Sequence, residues 1–394
     1  MSSSTRLDVV IVGAGIVGLA HAWAAARRGH RVRVFERSPR AEGASIRNFG
    51  MVWPIGQTPG PARDTALLSR DRWLELGRLS DVWVQPTGSL HLAHRPDELA
   101  VLEEFASRGP ALGYPVQLLT PAEVLRRSPG AQSRGLLGGL WSPDEVAVNP
   151  PQAIRTLPGW LHQTLQVRFD FRTVVTQVAD GRLLTAAGET VRYDRAIVCG
   201  GADLESLFPA VLARSGLRRC KLQMLATVPQ PAGWRLGTHL ASGLTLRHYA
   251  NFSICPALAP LRARIATETP ELDRLGIHVM ASQTNTGQVI LGDSHEYDDA
   301  IEPFDTAEIE ELMLRELRLV FDLPDWTIAS RWQGIYAKHP DAPVFAHEPE
   351  PGVALRTGTG GSGMTMAFGL AERDWECWGH GQNWDHGQHG ENCR

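Results

Sequence analysis

Cysteine is sparse, and what there is stands apart. Cys199, Cys220, Cys255, Cys377 and Cys393 contain no CxxC pair. That spacing offers neither a zinc-ligand set nor a disulfide framework, so a reducing, cytoplasmic compartment is expected. An excess of either charge is also lacking. With 39 basic and 43 acidic side chains the net charge is -4, which leaves no basic footprint for a nucleic-acid partner. No run reaches the roughly 18 consecutive apolar residues of a membrane span. The apolar stretch near the start follows Asp8 and is broken by His21, unlike a signal peptide. No membrane partner is therefore expected. At 394 residues the chain exceeds the size at which single cores divide, so more than one domain is expected.

What is present is organised around residues 8–36. A β-branched run, Val9-Val10-Ile11-Val12, reads as a buried parallel strand. Gly13, Gly15 and Gly18 follow as GAGIVG, then a helical pattern through Leu19, Trp23 and Ala25 to Gly29, then a second strand, Val32 to Phe35, ending at Glu36. Strand, tight turn, helix, strand and acid in that order form the dinucleotide fingerprint. Gly13 permits the turn, Gly15 lets backbone approach a pyrophosphate, and Gly18 allows close helix–strand packing. The helix N-terminus around Ile16 offers unpaired amides to phosphates. Glu36, eighteen residues past Gly18, can accept a ribose hydroxyl. A glycine-rich turn in an ordinary α/β protein, and a binder of free nicotinamide cofactor, are the competing readings.

A polar loop with Arg37, Gly43, Ala44, Ser45, Arg47 and Asn48 follows the acid and should lie over the adenosine and phosphates. Residues 49–57 are too apolar for a solvent loop; they line an aromatic cofactor or form a buried turn. Helices are expected over 61–79 and 96–108, and from Thr120-Pro121 with its cap and Glu123. A further helix starts at Pro150 and is disturbed at Pro158-Gly159. The run 193–202 reads as a strand that delivers Cys199, Gly200 and Gly201 at its C-terminal end, to a sheet edge where ligands sit; Cys199 reads as a small buried neighbour. From 217 the pattern changes to antiparallel strands over 228–237, 244–249, 276–283 and 288–292, a helix within 301–321 and a strand or bend over 328–336. A last strand, 353–357, meets Gly358, Gly360, Gly361, Ser362 and Gly363 and then a helix from Met364 to Ala371, giving a second cofactor-facing helix N-terminus. The tail 377–394 carries His380, His386 and His389; a frayed end and a metal-binding tract are its two readings.

Five of these segments, in this order, resemble one family. They are Gly13-Ala14-Gly15-Ile16-Val17-Gly18 with Glu36, then Gly43-Ala44-Ser45, then Gly50-Met51 with Pro54. Next come Ile197-Val198-Cys199-Gly200-Gly201-Ala202 and Gly360-Gly361-Ser362-Gly363-Met364-Thr365. The chain resembles, over 7–372, the FAD-dependent amine oxidases that include glycine oxidase, D-amino-acid oxidase and sarcosine oxidase. The resemblance implies an α/β fold with a Rossmann-like FAD-binding domain and an inserted mixed or antiparallel-sheet substrate domain, as in glutathione-reductase-like flavoproteins. It implies an FAD-binding domain over 1–80, 141–216 and 325–376, and a substrate domain over 81–140 and 217–324. It implies FAD held by those segments together with Arg37, Asn48 and Gly334. The FAD should be non-covalent, because no cysteine lies between Cys255 and Cys377, where sarcosine oxidase attaches its flavin.

The chain also departs from the family. Where glycine oxidase has W-x-G-x-R-P, with an arginine that clamps the substrate carboxylate, this sequence has Trp332-Gln333-Gly334-Ile335-Tyr336-Ala337. The run Arg47-Asn48-Phe49-Gly50-Met51-Val52-Trp53-Pro54 resembles a bacterial subgroup associated with aminophosphonate breakdown. That resemblance implies oxidation of an aminoalkylphosphonate, N-methylated or not, to imine and then aldehyde plus amine, with oxygen reduced to peroxide. A D-amino-acid or glycine oxidase, a flavin amine dehydrogenase with another acceptor, and a non-enzymatic FAD-holding adaptor are the alternatives. Tyr336, His248, Lys338 and Trp53, with Tyr249 beside them, are the expected pocket residues. Arg247, His248, Lys338 and His339 are the candidate donors to a phosphonate, against surface solvation for each alone. Arg247 and His248 should point to opposite faces of their strand, with His248 entering the site.

Overall fold

The computed structural model describes residues 6–380. The fingerprint strand Asp8–Val12 is the centre of a six-stranded sheet. Its order is Phe345–Glu350, Val353–Thr357, Arg195–Val198, Asp8–Val12, Arg31–Glu36 and Arg168–Phe171. All neighbours are parallel except the Phe345–Glu350 edge. Val9, Val10 and Ile11 are buried, as expected of a strand covered on both faces. Helix Gly363–Gly379 packs between Ile16–Arg27 and Pro61–Leu79. Phe368 seats edge-on between Trp23 and Trp73, with ring centroids 5.3 and 4.9 Å away.

A second sheet lies beyond. It runs Glu296–Asp298, Arg218–Thr227, Val289–Gly292, Met280–Gln283, His239–Ala241, Ser89–Ala93, Gly138–Ser142 and Gln117–Leu119, and Ile328–Lys338 also pairs with Arg218–Thr227. Its core holds Leu90, Leu92, Phe105, Phe252 and Leu291, and helix Ala307–Val320 contributes Ile309, Met313 and Leu317. A small sheet of Met51–Val52, Val146–Val148 and Val84–Pro86 joins the two. The architecture is thus a Rossmann-like α/β region with an inserted mixed-sheet domain. Among the described residues no helix is long and apolar enough to cross a membrane.

Several local expectations change. The strand expected over 228–237 is Arg218–Thr227 instead. Residues from Cys220 to Thr227 are all buried, with Leu225 in one core cluster and Cys220, Leu222 and Met224 in another, so the alternating Cys220-Lys221-Leu222-Gln223-Met224 does not mark a half-exposed strand. Pro229 and Pro231 lack the amides that a ladder needs. Residues 244–249 do not form a strand. Gly243–Arg247 is a 3₁₀ turn, in which the Thr245 hydroxyl and amide both donate to Ser242 O, the local competition that threonine offers to extended structure. Arg247 and His248 are therefore successive positions of a turn and not opposite faces of a strand. Pro158 sits inside helix Pro150–Leu165 without ending it; buried Ile154, Leu157 and Leu161 hold that face onto the first core. The last helix runs to Gly379, because Trp375 and Cys377 continue its buried face. Residues 377–379, expected to begin a frayed tail, are thus helical, and the rest of that segment, with His386 and His389, lies outside the described residues. Sheet membership also crosses the expected partition. Ile328–Lys338 and Gly138–Ser142 hydrogen-bond within the second sheet, and pairing over distances of this kind leaves no trace in local pattern.

Candidate functional site

A cavity of about 1080 Å³ runs from the fingerprint turn to the wall of the second sheet. At its inner end Gly13 adopts φ +101°, and its amide donates to Phe35 O at 2.8 Å. A Cβ there would lie 2.4 Å from Cys199 O, so the 195–202 segment is pressed against the turn. Glu36 closes the turn from the other side. Its carboxylate accepts from the Ala14 amide at 2.9 Å and the Ser38 amide at 3.0 Å. The Ile16 amide donates to Ser45 Oγ at 2.9 Å, which folds the polar loop over the helix N-terminus. Asn48 fixes that loop, donating to Ala44 O and Ser45 O and accepting from the Gly50 amide. Arg37 pairs with Asp203 at 2.6 Å.

The second helix N-terminus opens on the same space. Gly360, Gly361, Ser362, Gly363, Met364 and Thr365 line it. Thr357 Oγ1 donates to Gly201 O at 2.6 Å, the Trp53 amide donates to Thr365 Oγ1 at 2.9 Å, and Trp73 Nε1 donates to Met364 O at 2.8 Å. Gly334 meets the loop from the second sheet, where a Cβ would lie 3.0 Å from Arg47 O. Two helix N-termini, a glycine cradle and an acid at the end of the second strand suit a long dinucleotide with two phosphates and a ribose.

The outer part of the cavity is built from the second sheet. Tyr336 is buried, and burial, then the neighbouring Cys220 and Tyr297, hold its phenol well above the usual range, so it is a neutral donor. Lys338 lies 3.3 Å from Tyr297 Oη. Trp53 packs near His91, His239 and Tyr249, with centroids 5.5, 5.9 and 6.2 Å away. Burial lowers His91 to about 3 and His239 to about 4, so both are neutral. The thiol of Cys199 is pushed up by burial to about 12 and supplies no thiolate.

Of the expected cofactor-binding glycines, Gly50 alone is not on the cavity wall; it faces Val148 and Pro150. Two of the expected anion donors also fall away. Arg247 is committed to Asp273 at 2.7 Å and to Leu244 O and Ile277 O, because it ties the 3₁₀ turn to the neighbouring loop. His339 is off the wall, its Nδ1 accepting from the Asp341 amide. His248, Tyr336, Lys338 and Trp53 share the cavity. Sequence reasoning missed His278, Asp293 and His295, which meet His248 there. They fall on two segments, His278 on one and Asp293 with His295 on the other, and the pairing of Met280–Gln283 with Val289–Gly292 brings these together.

Comparison with known proteins agrees with this arrangement. The chain is 28% identical to a glycine oxidase of Geobacillus kaustophilus over 212 residues, covering 50% of this chain and 55% of that protein. It is 25% identical to a D-amino acid dehydrogenase of Rhizorhabdus wittichii over 425 residues, 92% of this chain and 94% of that one. Among solved structures, L-proline dehydrogenase from P. horikoshii superposes with TM-score 0.74 at 19% identity, covering 95% and 94% of the two chains. The glycine oxidase from Geobacillus kaustophilus superposes with TM-score 0.71 at 20% identity, covering 94% of each. Residues 8–373 match the family described as FAD dependent oxidoreductase (DAO); the chain belongs to this family and is an oxidoreductase that binds FAD non-covalently.

Proposed function

We propose that the small amine whose C–N bond this FAD-dependent oxidoreductase oxidises is an amino acid, or an amino-acid-like anion, bound between Trp53, Tyr336, Tyr249 and Lys338. The observation that carries the reading is the continuity of one cavity from the dinucleotide cradle to that wall. The curated relatives, named as glycine oxidase and D-amino acid dehydrogenase, support an amino-acid substrate over a phosphonate. FAD, when bound, supplies the two-electron acceptor. The chain supplies the rest. Neutral, buried His91 and His239 behind Trp53 make a weakly polar wall, which disfavours an ammonium and favours the free amine that oxidation requires. Tyr336 can donate one neutral hydrogen bond, and Lys338 can face the anionic end.

A second reading has its own observation. Tyr336 stands where the resemblance places a carboxylate-clamping arginine, and a phenol cannot form the two-point contact of a guanidinium. An aminoalkylphosphonate would fit a site without that fork. A panel of glycine, sarcosine, D-alanine, 2-(methylamino)ethylphosphonate and N-methylpropylamine, mixed anaerobically with the holoenzyme, decides by the rate of flavin bleaching. Fastest bleaching by an amino acid supports the first reading, and fastest bleaching by the phosphonate supports the second. Reduction by the uncharged amine alone overturns both. Peroxide yield in air separates an oxidase from a dehydrogenase.

Two residue-level results are expected. Lys338→Ala should raise KM for the anionic substrate about tenfold or more, while changing that for N-methylpropylamine little, since a charge-assisted contact contributes roughly 1.5–3 kcal/mol. An equal change for both would remove Lys338 from anion binding. Glu36→Ala should weaken FAD roughly ten- to hundredfold in fluorescence titration of the apoprotein, by the same magnitude of lost contact. Unchanged affinity would remove Glu36 from ribose binding.

A further inference from the structure

We propose that His248, His278, His295 and Asp293 bind one first-row transition-metal ion of the zinc class, a site that the flavin reaction does not require. One ligand atom of each histidine lies within 4.8 Å of the others. His278 Nε2 is 3.4 Å from Asp293 Oδ1, and His295 Nε2 is 3.9 Å from Asp293 Oδ2. A tetrahedral ion with bonds of about 2.0–2.1 Å sets its ligand atoms about 3.3 Å apart; each Asp293 oxygen lies near that distance from one histidine, and rotation of the carboxylate and the rings is needed to bring one oxygen and three nitrogens around a single ion.

The partners of these groups point to an ion and not to a hydrogen-bonded cluster. His278 is 2% exposed and Asp293 4%, yet both His278 ring nitrogens and Asp293 Oδ1 have no hydrogen-bond partner. Buried polar atoms of this kind are rarely left unpaired. His295 Nδ1 lies 3.0 Å from Gly276 O. A ring that donates Nδ1–H there turns its Nε2 lone pair toward Asp293, the orienting contact that metal-bound histidines use. Three imidazoles and a carboxylate are a borderline donor set suited to zinc and its neighbours.

The ion also has a route and a structural consequence. A second cavity of about 380 Å³, lined also by Arg247, Arg262 and Asp273, reaches His248 and His278. The four ligands come from the turn after Gly243–Arg247, the segment before Met280–Gln283 and the segment after Val289–Gly292. One ion would clamp three connections that form the outer wall of the substrate cavity.

The test uses full-length, FAD-loaded protein without a histidine tag, in a background with His380, His386 and His389 changed to alanine so that tail histidines cannot contribute. After equilibration with Zn²⁺ and dialysis into metal-free buffer, mass spectrometry of the metal should find about one zinc per chain. Co²⁺ in its place should show the intense d–d bands of a tetrahedral site. His278→Ala and Asp293→Asn should each weaken zinc about hundredfold, and His248→Gln, on the cavity side, gives the same readout if the buried variants fail to fold. Zinc well below one per chain, or unchanged affinity in the variants that fold, overturns the proposal. These readouts do not depend on the amine panel, so failure of the metal site and failure of the substrate reading are distinguishable.

Discussion

Gly18→Ala will yield protein with little bound flavin and a lowered melting temperature. A Cβ at Gly18 would lie 1.9 Å from Gly13 O, 3.1 Å from Gly13 C and 3.3 Å from Ile11 Cγ2. The first two are backbone atoms of the fingerprint turn, and the turn is held in place. Its Gly13 amide bonds Phe35 O, and Glu36 accepts from Ala14. Nothing flexible can yield, so helix Ile16–Arg27 must move off the strand by an ångström or more. Overpacking of this kind costs about 1–3 kcal/mol or more, and the displacement falls where helix amides are offered to the pyrophosphate. The flavin-to-protein ratio should drop about tenfold or more for an affinity loss of that size. Gly159→Ala is the control: it is exposed on a helix and a Cβ there meets nothing within 4 Å, so flavin content should not change. A Gly18→Ala protein that retains full flavin would show that the turn tolerates a methyl and that the close approach is not what selects glycine.

The contrast between these glycines bears on what sequence can show. The fingerprint was legible because each part is a local constraint: a β-branched run for a covered strand, glycines for a turn, an acid at a fixed distance. The Thr120 start was legible for the same reason, and there Glu123 accepts from the Thr120 amide at 2.8 Å. The second sheet was less so. Arg218–Thr227 pairs along its edges with Val289–Gly292 and Ile328–Lys338; its sequence RRCKLQMLAT has no β-branched run, and its one alternating stretch, Cys220-Lys221-Leu222-Gln223-Met224, is short. Lys221, inside it, is 2% exposed with its amine donating to Phe304 O, a buried cation that no period would place in a core. The candidate site divides along the same line. The glycine segments were found, whereas His278, Asp293 and His295 depend on strand register, which a single sequence does not state.

The second large effect is expected at Arg356. It lies on the strand before the last glycine turn, lines the cavity, and is 3% exposed. Its Nε donates to Asp374 Oδ2 at 2.7 Å and its Nη2 to Oδ1 at 3.0 Å. Asp374, fully buried, stands on helix Gly363–Gly379. The pair is therefore a strut across strand, turn and helix, and it holds the helix whose N-terminus opens on the cavity. Arg356→Leu removes the cation and its two-pronged contact with the buried Asp374 carboxylate. Breaking a buried pair from one side costs about 3–5 kcal/mol, which for a chain of this size corresponds to a fall of about 5 °C in melting temperature. Flavin retention should fall with it, because the glycine turn loses its brace. Arg356→Lys keeps the charge but not the two-pronged donor and should recover less than half of the loss. Differential scanning calorimetry of the three proteins decides. A melting temperature for Arg356→Leu equal to that of the natural chain would show that the fold does not depend on this strut, and equal recovery by lysine would show that charge alone, without the fork, holds helix to strand.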